Sequence, residues 1–301
     1  MALPSISVIN FAPELDDREV QNAIRSVNRQ VLEDFAPIWG SARELRLHAP
    51  SFDPAIPDVL AEDPVRGESV IYLVDKVSLP GALGYHDLNS RAIPVGFVFI
   101  LDPSDWTVTL SHEVLELIID PTVNIFVPGP DPRPGHDGLA LHTYEVCDAV
   151  ERTAYSIDGV LVSNFLTPSY FTIGEEIGTR NDFLGVGVDS FGVTPGSHIA
   201  FFDLAANKFV TVNGQRVQRM RPMARNPEQF IHDKPARPEE LMQSTLDAYH
   251  EGPHKKVQAL PHSGLSELRG ISRGRRYRES AARMGAREFP QELLADTMAA
   301  V

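Results

Sequence analysis

The stretch Trp106–Ile119 leaves this chain little choice about where that segment goes. Val108, Leu110, Val114, Leu115, Leu117, Ile118 and Ile119 leave almost none of its surface polar. A helix that is apolar nearly all round belongs in a core. Into that helix the sequence sets His112, Glu113 and Glu116. Burying such groups is costly unless something pairs with them. His112 and Glu116 are four residues apart, so their side chains lie on one face, one turn from each other. A divalent cation would draw the two together and compensate their burial.

The pattern His112-Glu113-Val114-Leu115-Glu116 is one substitution away from H-E-x-x-H. In that motif two histidines hold zinc and the glutamate between them is the general base. Two side chains from one helix need a third protein ligand to make a persistent zinc site, with water in the open position. The segment Glu145-Val146-Cys147-Asp148 offers it, because both carboxylates are flanked by apolar residues. Glu145 is the first choice and Asp148 the second; the carboxylate left over can orient the ligands. A histidine with two carboxylates offsets the charge of a divalent ion, so calcium or manganese fit beside zinc.

Other residues invite a role and are read more plainly. His86, in Gly84-Tyr85-His86-Asp87, lies on the edge strand, where it can face the cleft, but reads first as a satisfied surface histidine in a turn; His136 and His142 can substitute as ligands, but read first as residues outside the metal site. Tyr170 reads as a core aromatic with a paired hydroxyl, and Cys147 as an inert buried thiol.

Around the motif helix the chain reads as an α+β domain. Asp16 or Asp17 can cap a helix to about Phe35, ended by Pro37 and Gly40. Residues 42–48, 69–74, 83–86 and 94–101 read as strands, with 83–86 an edge strand. Residues 102–105 cap the motif helix, which stops before Asp120-Pro121. Residues 126–141 are dense in Pro and Gly and read as a loop. Hairpins are expected at Asp158-Gly159 and around Ala206-Asn207.

Ser111-His112-Glu113-Val114-Leu115-Glu116-Leu117, then Asp120-Pro121, Asn124, Glu145-Val146-Cys147-Asp148 and Ser163-Asn164, resemble a loose group of zincin-like proteins. These carry an HExxE helix followed by Asp/Asn-Pro and a later E-x-x-D element. Plant phosphate-induced (exordium-type) proteins and uncharacterised bacterial and phage-borne proteins are similar in this respect. The likeness covers roughly residues 70–170 by motif spacing. It implies a zincin-like mixed sheet backed by the buried motif helix, and a metal site. The chain departs from the better-known peptidase pattern at Glu116, where a second histidine is usual.

Charge divides the chain. Residues 1–215 carry 12 Lys+Arg against 30 Asp+Glu, and residues 216–301 carry 15 against 11. The acidic bulk argues against nucleic acid as the main partner and suits a cation. The expected division is a metal-binding domain over 1–215 and an irregular basic extension over 216–301, in which 239–249 can form a short helix and 262–286 is mobile. No stretch approaches the roughly 20 apolar residues of a membrane span. The first residues have no basic n-region, and one cysteine permits no intramolecular disulfide, so a cytoplasmic setting is expected, virion or phage association being compatible with it.

The function expected on these grounds is metal-dependent hydrolysis of a peptide bond. His112, Glu116 and either Glu145 or Asp148 bind the metal, and Glu113 takes the proton of its water. The alternative is a non-catalytic interaction or virion-associated protein whose metal is structural or absent.

Overall fold

A computed structural model describes residues 5–48, 52–53, 56–60, 69–75, 82–101, 106–174, 179–214, 216–217 and 238–251. The fold is α+β, built on two five-stranded sheets. The first contains β1 (Ser5–Asn10), β2 (Glu44–His48), β5 (Ser69–Val74), β6 (Gly84–Leu88) and β7 (Pro94–Phe99). Its order is β2-β1-β5-β7-β6, all parallel except β6, which closes one edge antiparallel to β7. β3 (Phe52–Asp53) and β4 (Ile56–Leu60) pair as a small separate hairpin. Parallel strands covered on both faces read as continuous apolar runs, and every residue of β1 and β5 is buried. β1 is absent from the sequence reading, although Ile6, Val8 and Ile9 carry the β-branched signal of a strand.

One face of this sheet is covered by α1 (Asp17–Arg29), a wider π-helical turn over Gln30–Phe35, α2 (Ala36–Trp39) and α3 (Trp106–Ile119). Asp16 caps α1, its side chain accepting from the Arg18 amide at 2.7 Å. Ile6, Val8, Ile24, Val27, Phe35, Ile71, Leu110, Val114 and Leu115 meet in one core. The helix does not stop at Pro37 as expected. Pro37 falls in the first turn of α2, where a missing N–H costs nothing. Gly40 ends the helix, at φ +70° with its amide on Ala36 O.

The opposite face is covered by α4 (Pro238–Glu251; the fourth helix in chain order), whose Leu241 and Leu246 join Ile9, Phe11, Val70, Tyr72, Val95 and Phe97. This helix falls within the expected extension over 216–301. A helix from the expected basic extension supplies apolar side chains that the sheet would otherwise expose. The expected mobile segment 262–286 and the cap at 102–105 lie outside the described residues.

The second sheet is antiparallel, in the order β14 (Arg216–Val217), β13 (Lys208–Asn213), β12 (His198–Asp203), β9 (Leu139–Thr143), β8 (Phe126–Pro130). Residues 126–141, expected as a loop, thus contain two strands. Pro128 and Pro130 fit because β8 is an edge strand, where a missing donor is tolerated. Gly129 fits because Phe191 occupies its side-chain space: a Cβ there would lie 2.4 Å from the Phe191 ring.

β10 (Ala154–Ile157) and β11 (Val160–Ser163) form the expected hairpin, with Asp158 and Gly159 both at positive φ. The hairpin of β12 and β13 also turns where expected, with Asn207 at φ +51°. β11 lies along α3, and the Ser163 amide donates to Ser111 Oγ at 2.6 Å. The first sheet, α3 and the chain leading to the second sheet thereby meet around the motif.

Candidate metal centre

α3 carries its polar groups inward because both of its flanks are packed. Ser111, Glu113 and Glu116 are buried along with Leu110, Val114, Leu115 and Leu117. The chain just after β9 is fastened to this helix through Cys147. The Cys147 amide donates to Glu116 Oε1 at 3.0 Å, and Cys147 Sγ lies 3.9 Å from the carbonyl oxygen of His112. That fastening brings residues 145–148 to the helix face that bears His112.

His112 Nε2 lies 3.1 Å from Glu116 Oε2 and 3.2 Å from Asp148 Oδ1. One ring nitrogen thus faces two carboxylates. On the side of β6, His86 Nδ1 lies 3.0 Å from Glu113 Oε2 and 3.8 Å from Glu116 Oε2, and its Nε2 lies 3.5 Å from Glu145 Oε2. On the side of the second sheet, His198 Nε2 lies 3.3 Å from Asp148 Oδ2 and its Nδ1 3.2 Å from Glu151 Oε1. Ligand atoms of His112, Glu116 and Cys147 lie within 4.8 Å of one another, as do those of His86, Glu113 and Glu116.

Among the described residues, the ion-pair partners of Glu113, Glu116, Asp148 and Glu151 are all histidines. Burial alone would lower the His112 imidazole, but Glu116 and Asp148 hold it well above its ordinary value. Burial would likewise lower His86, yet Glu145, Glu113 and Glu116 push it up to about 10. Asp148 raises His198 to about 9 against the effect of burial. Burial would raise Asp148, but His198, His112 and His86 bring it down to about 2. Glu116 goes the other way, raised by its burial despite His112. The carboxylates favour the charged form of each imidazole, and the imidazoles favour the charged form of Asp148.

The donor set suits a divalent cation. Around a four-coordinate ion with bonds of about 2.0–2.2 Å, donor atoms stand roughly 3.3 Å apart. His112 Nε2 stands at nearly that separation from both Glu116 Oε2 and Asp148 Oδ1. Of the sequence-derived ligands, Glu116 and Asp148 each face His112, whereas Glu145, the first choice for the third ligand, turns to His86. Glu113 is buried with Oε2 toward His86 and Oε1 against Gly84.

The reading of His86 as a surface histidine is corrected. It is buried, because β6 folds over α3 and turns His86 inward while Tyr85 and Asp87 pair with each other on the other face. The edge-strand alternative, in which alternation turns His86 to the cleft, is the one that agrees with its burial. His198 and Glu151 are not singled out by the sequence, which gives no spacing that ties the start of β12 to α3. His136 is exposed beside Asp131, and the His142 ring packs against Phe191 and Phe201. Tyr170 donates its hydroxyl to Gly192 O at 2.6 Å. Burial raises the Cys147 thiol well above its ordinary value, which keeps it protonated.

The residues that carried the resemblance outside the cluster serve the framework. The Asp120 carboxylate accepts from the Asn124 and Ile125 amides and so turns the chain out of α3. Asn164 joins Thr153, Asp182 and Leu184. No protein-family model, no curated protein and no solved structure matches the chain.

Proposed function

We propose that the protein is a divalent-metal-dependent hydrolase of zincin type acting on peptide bonds. One observation carries the reading: a single nitrogen, His112 Nε2, faces carboxylate oxygens of Glu116 and Asp148 at 3.1 and 3.2 Å. One N–H cannot point along both directions, and a cation at this face would offset the charge of both carboxylates. His112, Glu116 and Asp148 hold the ion in this reading, with zinc the first choice and manganese or calcium compatible with two carboxylates. A bound divalent ion supplies a water of lowered pKa and polarises a carbonyl group.

The chain's own residues do the rest. Glu113 takes the proton of the attacking water. His86 fixes the Glu113 carboxylate through Oε2, and Glu145 steadies the far side of the His86 ring. β6 ends its sheet directly over Glu113, and the outer edge of such a strand can hold an extended peptide by main-chain hydrogen bonds. No helix among the described residues is long and apolar enough to cross a membrane. With one cysteine and an acidic body, we place the protein in a reducing compartment, the cytoplasm, away from nucleic acid.

The engagement of Glu113 by His86 and Gly84 favours a second reading, a non-catalytic protein with a structural ion. Elemental analysis after dialysis, together with cleavage assays on unfolded proteins and peptides with added zinc, manganese or calcium, separates the cases. About one ion per chain with cleavage supports the hydrolase. An ion without cleavage of any substrate supports the structural reading. No ion at all removes both.

A further inference from the structure

We infer that His198, delivered from the second sheet, is the positioning residue that sets the Asp148 carboxylate for the cation. The inference rests on the metal reading above and deepens it. Asp148 is held at both oxygens: Oδ1 faces His112 Nε2, and Oδ2 faces His198 Nε2 at 3.3 Å. His198 is held in turn, because its Nδ1 meets Glu151 Oε1 at 3.2 Å. Both nitrogens of His198 are directed at carboxylate oxygens, Asp148 Oδ2 and Glu151 Oε1, so the ring braces Asp148 instead of turning a nitrogen to the face where His112 lies. His112 differs, presenting one nitrogen to two carboxylates. The division of labour follows: His112 ligates and His198 orients.

The backbone supports this assignment. Asp148 begins a short 3-10 turn, Asp148–Val150, and Glu151 follows it, so both carboxylates that grip His198 come from one turn of chain. That turn is tied to the second sheet's loop, since Ala149 O accepts from the Thr194 amide at 3.0 Å and from Thr194 Oγ1 at 2.8 Å. Ser197, next to His198, accepts through Oγ from the Arg152 amide. The loop before β12 and the turn after Cys147 therefore form one body, which fixes the height of His198 against Asp148. Groups that hydrogen-bond the ligands of a metal commonly contribute 10–100-fold in affinity.

The test is zinc affinity of the full-length protein, measured by competition with a chelating dye. His198→Ala should bind Zn2+ about 10–100-fold more weakly than wild type. His198→Gln, whose amide N–H can reach the position of the ring Nε2, should recover most of that loss. Urea unfolding of the metal-free proteins checks that both variants fold. Wild-type affinity in His198→Ala would overturn the assignment. So would a His198→Gln as weak as the alanine variant, which would make His198 a ligand instead. Wild type that binds no Zn2+ would overturn the metal reading itself, a different result from unchanged affinity in the variants.

Discussion

Gly84 and Glu113 are packed so tightly that no side chain fits between them: a Cβ on Gly84 would lie 2.2 Å from Glu113 Oε1. Gly84 opens β6 and Glu113 projects from α3 beneath it. The absence of a side chain at 84 lets the edge strand lie directly on the carboxylate. His86, two residues along the same strand, then reaches Glu113 Oε2. The position of the proposed base is thus set by a glycine and a histidine on another element, not by α3 alone.

Gly84→Ala should therefore push Glu113 out of place. The expected result is a stability loss of about 1–3 kcal/mol from overpacking, with zinc content near that of wild type. Turnover on any accepted peptide should fall by roughly 10²–10⁴-fold, as for Glu113→Gln, because both changes remove the same proton acceptor. Equal turnover in Gly84→Ala and wild type would show that Glu113 has no part in the chemistry.

Metal binding to the folded state stabilises it by mass action. Wild type should gain melting temperature on addition of Zn2+ and lose it again with a chelator. His112→Ala removes the one nitrogen that faces both carboxylates, so its melting temperature should not respond to Zn2+. A response equal to wild type would place the ion elsewhere. Thermal unfolding with and without Zn2+ reads both outcomes.

How much of this site the sequence discloses depends on what kind of signal each residue gives. His112, Glu113 and Glu116 are legible because charge inside an apolar helical repeat is conspicuous and α-helical spacing is regular. Asp148 and Glu145 are legible as a pair but not as individuals. The hydrogen bond from the Cys147 amide to Glu116, which decides which carboxylate faces His112, has no sequence signature. His198 is illegible, since only the folding of the second sheet brings β12 to the turn after Cys147. That sheet was itself partly hidden, because Pro128, Gly129 and Pro130 read as loop until the strand is known to lie at an edge. β1 is legible by the same β-branched signal as β5, through Ile6, Val8 and Ile9, and is absent from the sequence reading all the same.

A pH effect independent of the metal is expected at His142. Its ring packs against Phe191 and Phe201, and Nε2 lies 2.9 Å from Pro130 O. Burial lowers its pKa from the ordinary 6.5, outweighing the raising effects of Pro130 and Asp131. The unfolded chain therefore takes up this proton first as the pH falls. The stability linked to His142 is full above 6.5 and is lost progressively from there down to the lower folded value. Urea unfolding of wild type and His142→Gln at pH 8 and pH 5.5 tests the sign. Wild type should lose more stability on acidification than the variant, since the other histidines contribute alike to both. An equal loss in the two proteins would contradict the prediction.

The back of the first sheet offers a test of where the domain ends. Strand side chains alternate between faces: Ile71 and Leu73 belong to the core under α3, while Val70, Tyr72 and Val74 belong to the core on the other side. Leu241 and Leu246 of α4 are each 5% exposed in that second core. If α4 is part of the fold, Leu241→Ala should cost about 2–5 kcal/mol, from lost transfer energy and the cavity left behind. Ser244→Ala, on the exposed side of the same helix, should change stability by no more than about 0.5 kcal/mol. Zn2+ affinity of the folded Leu241→Ala protein should stay near that of wild type, because α4 and the His112 face of α3 lie on opposite sides of the sheet. Denaturant unfolding together with metal titration distinguishes this from a domain that ends at residue 215, for which Leu241→Ala would be as silent as Ser244→Ala.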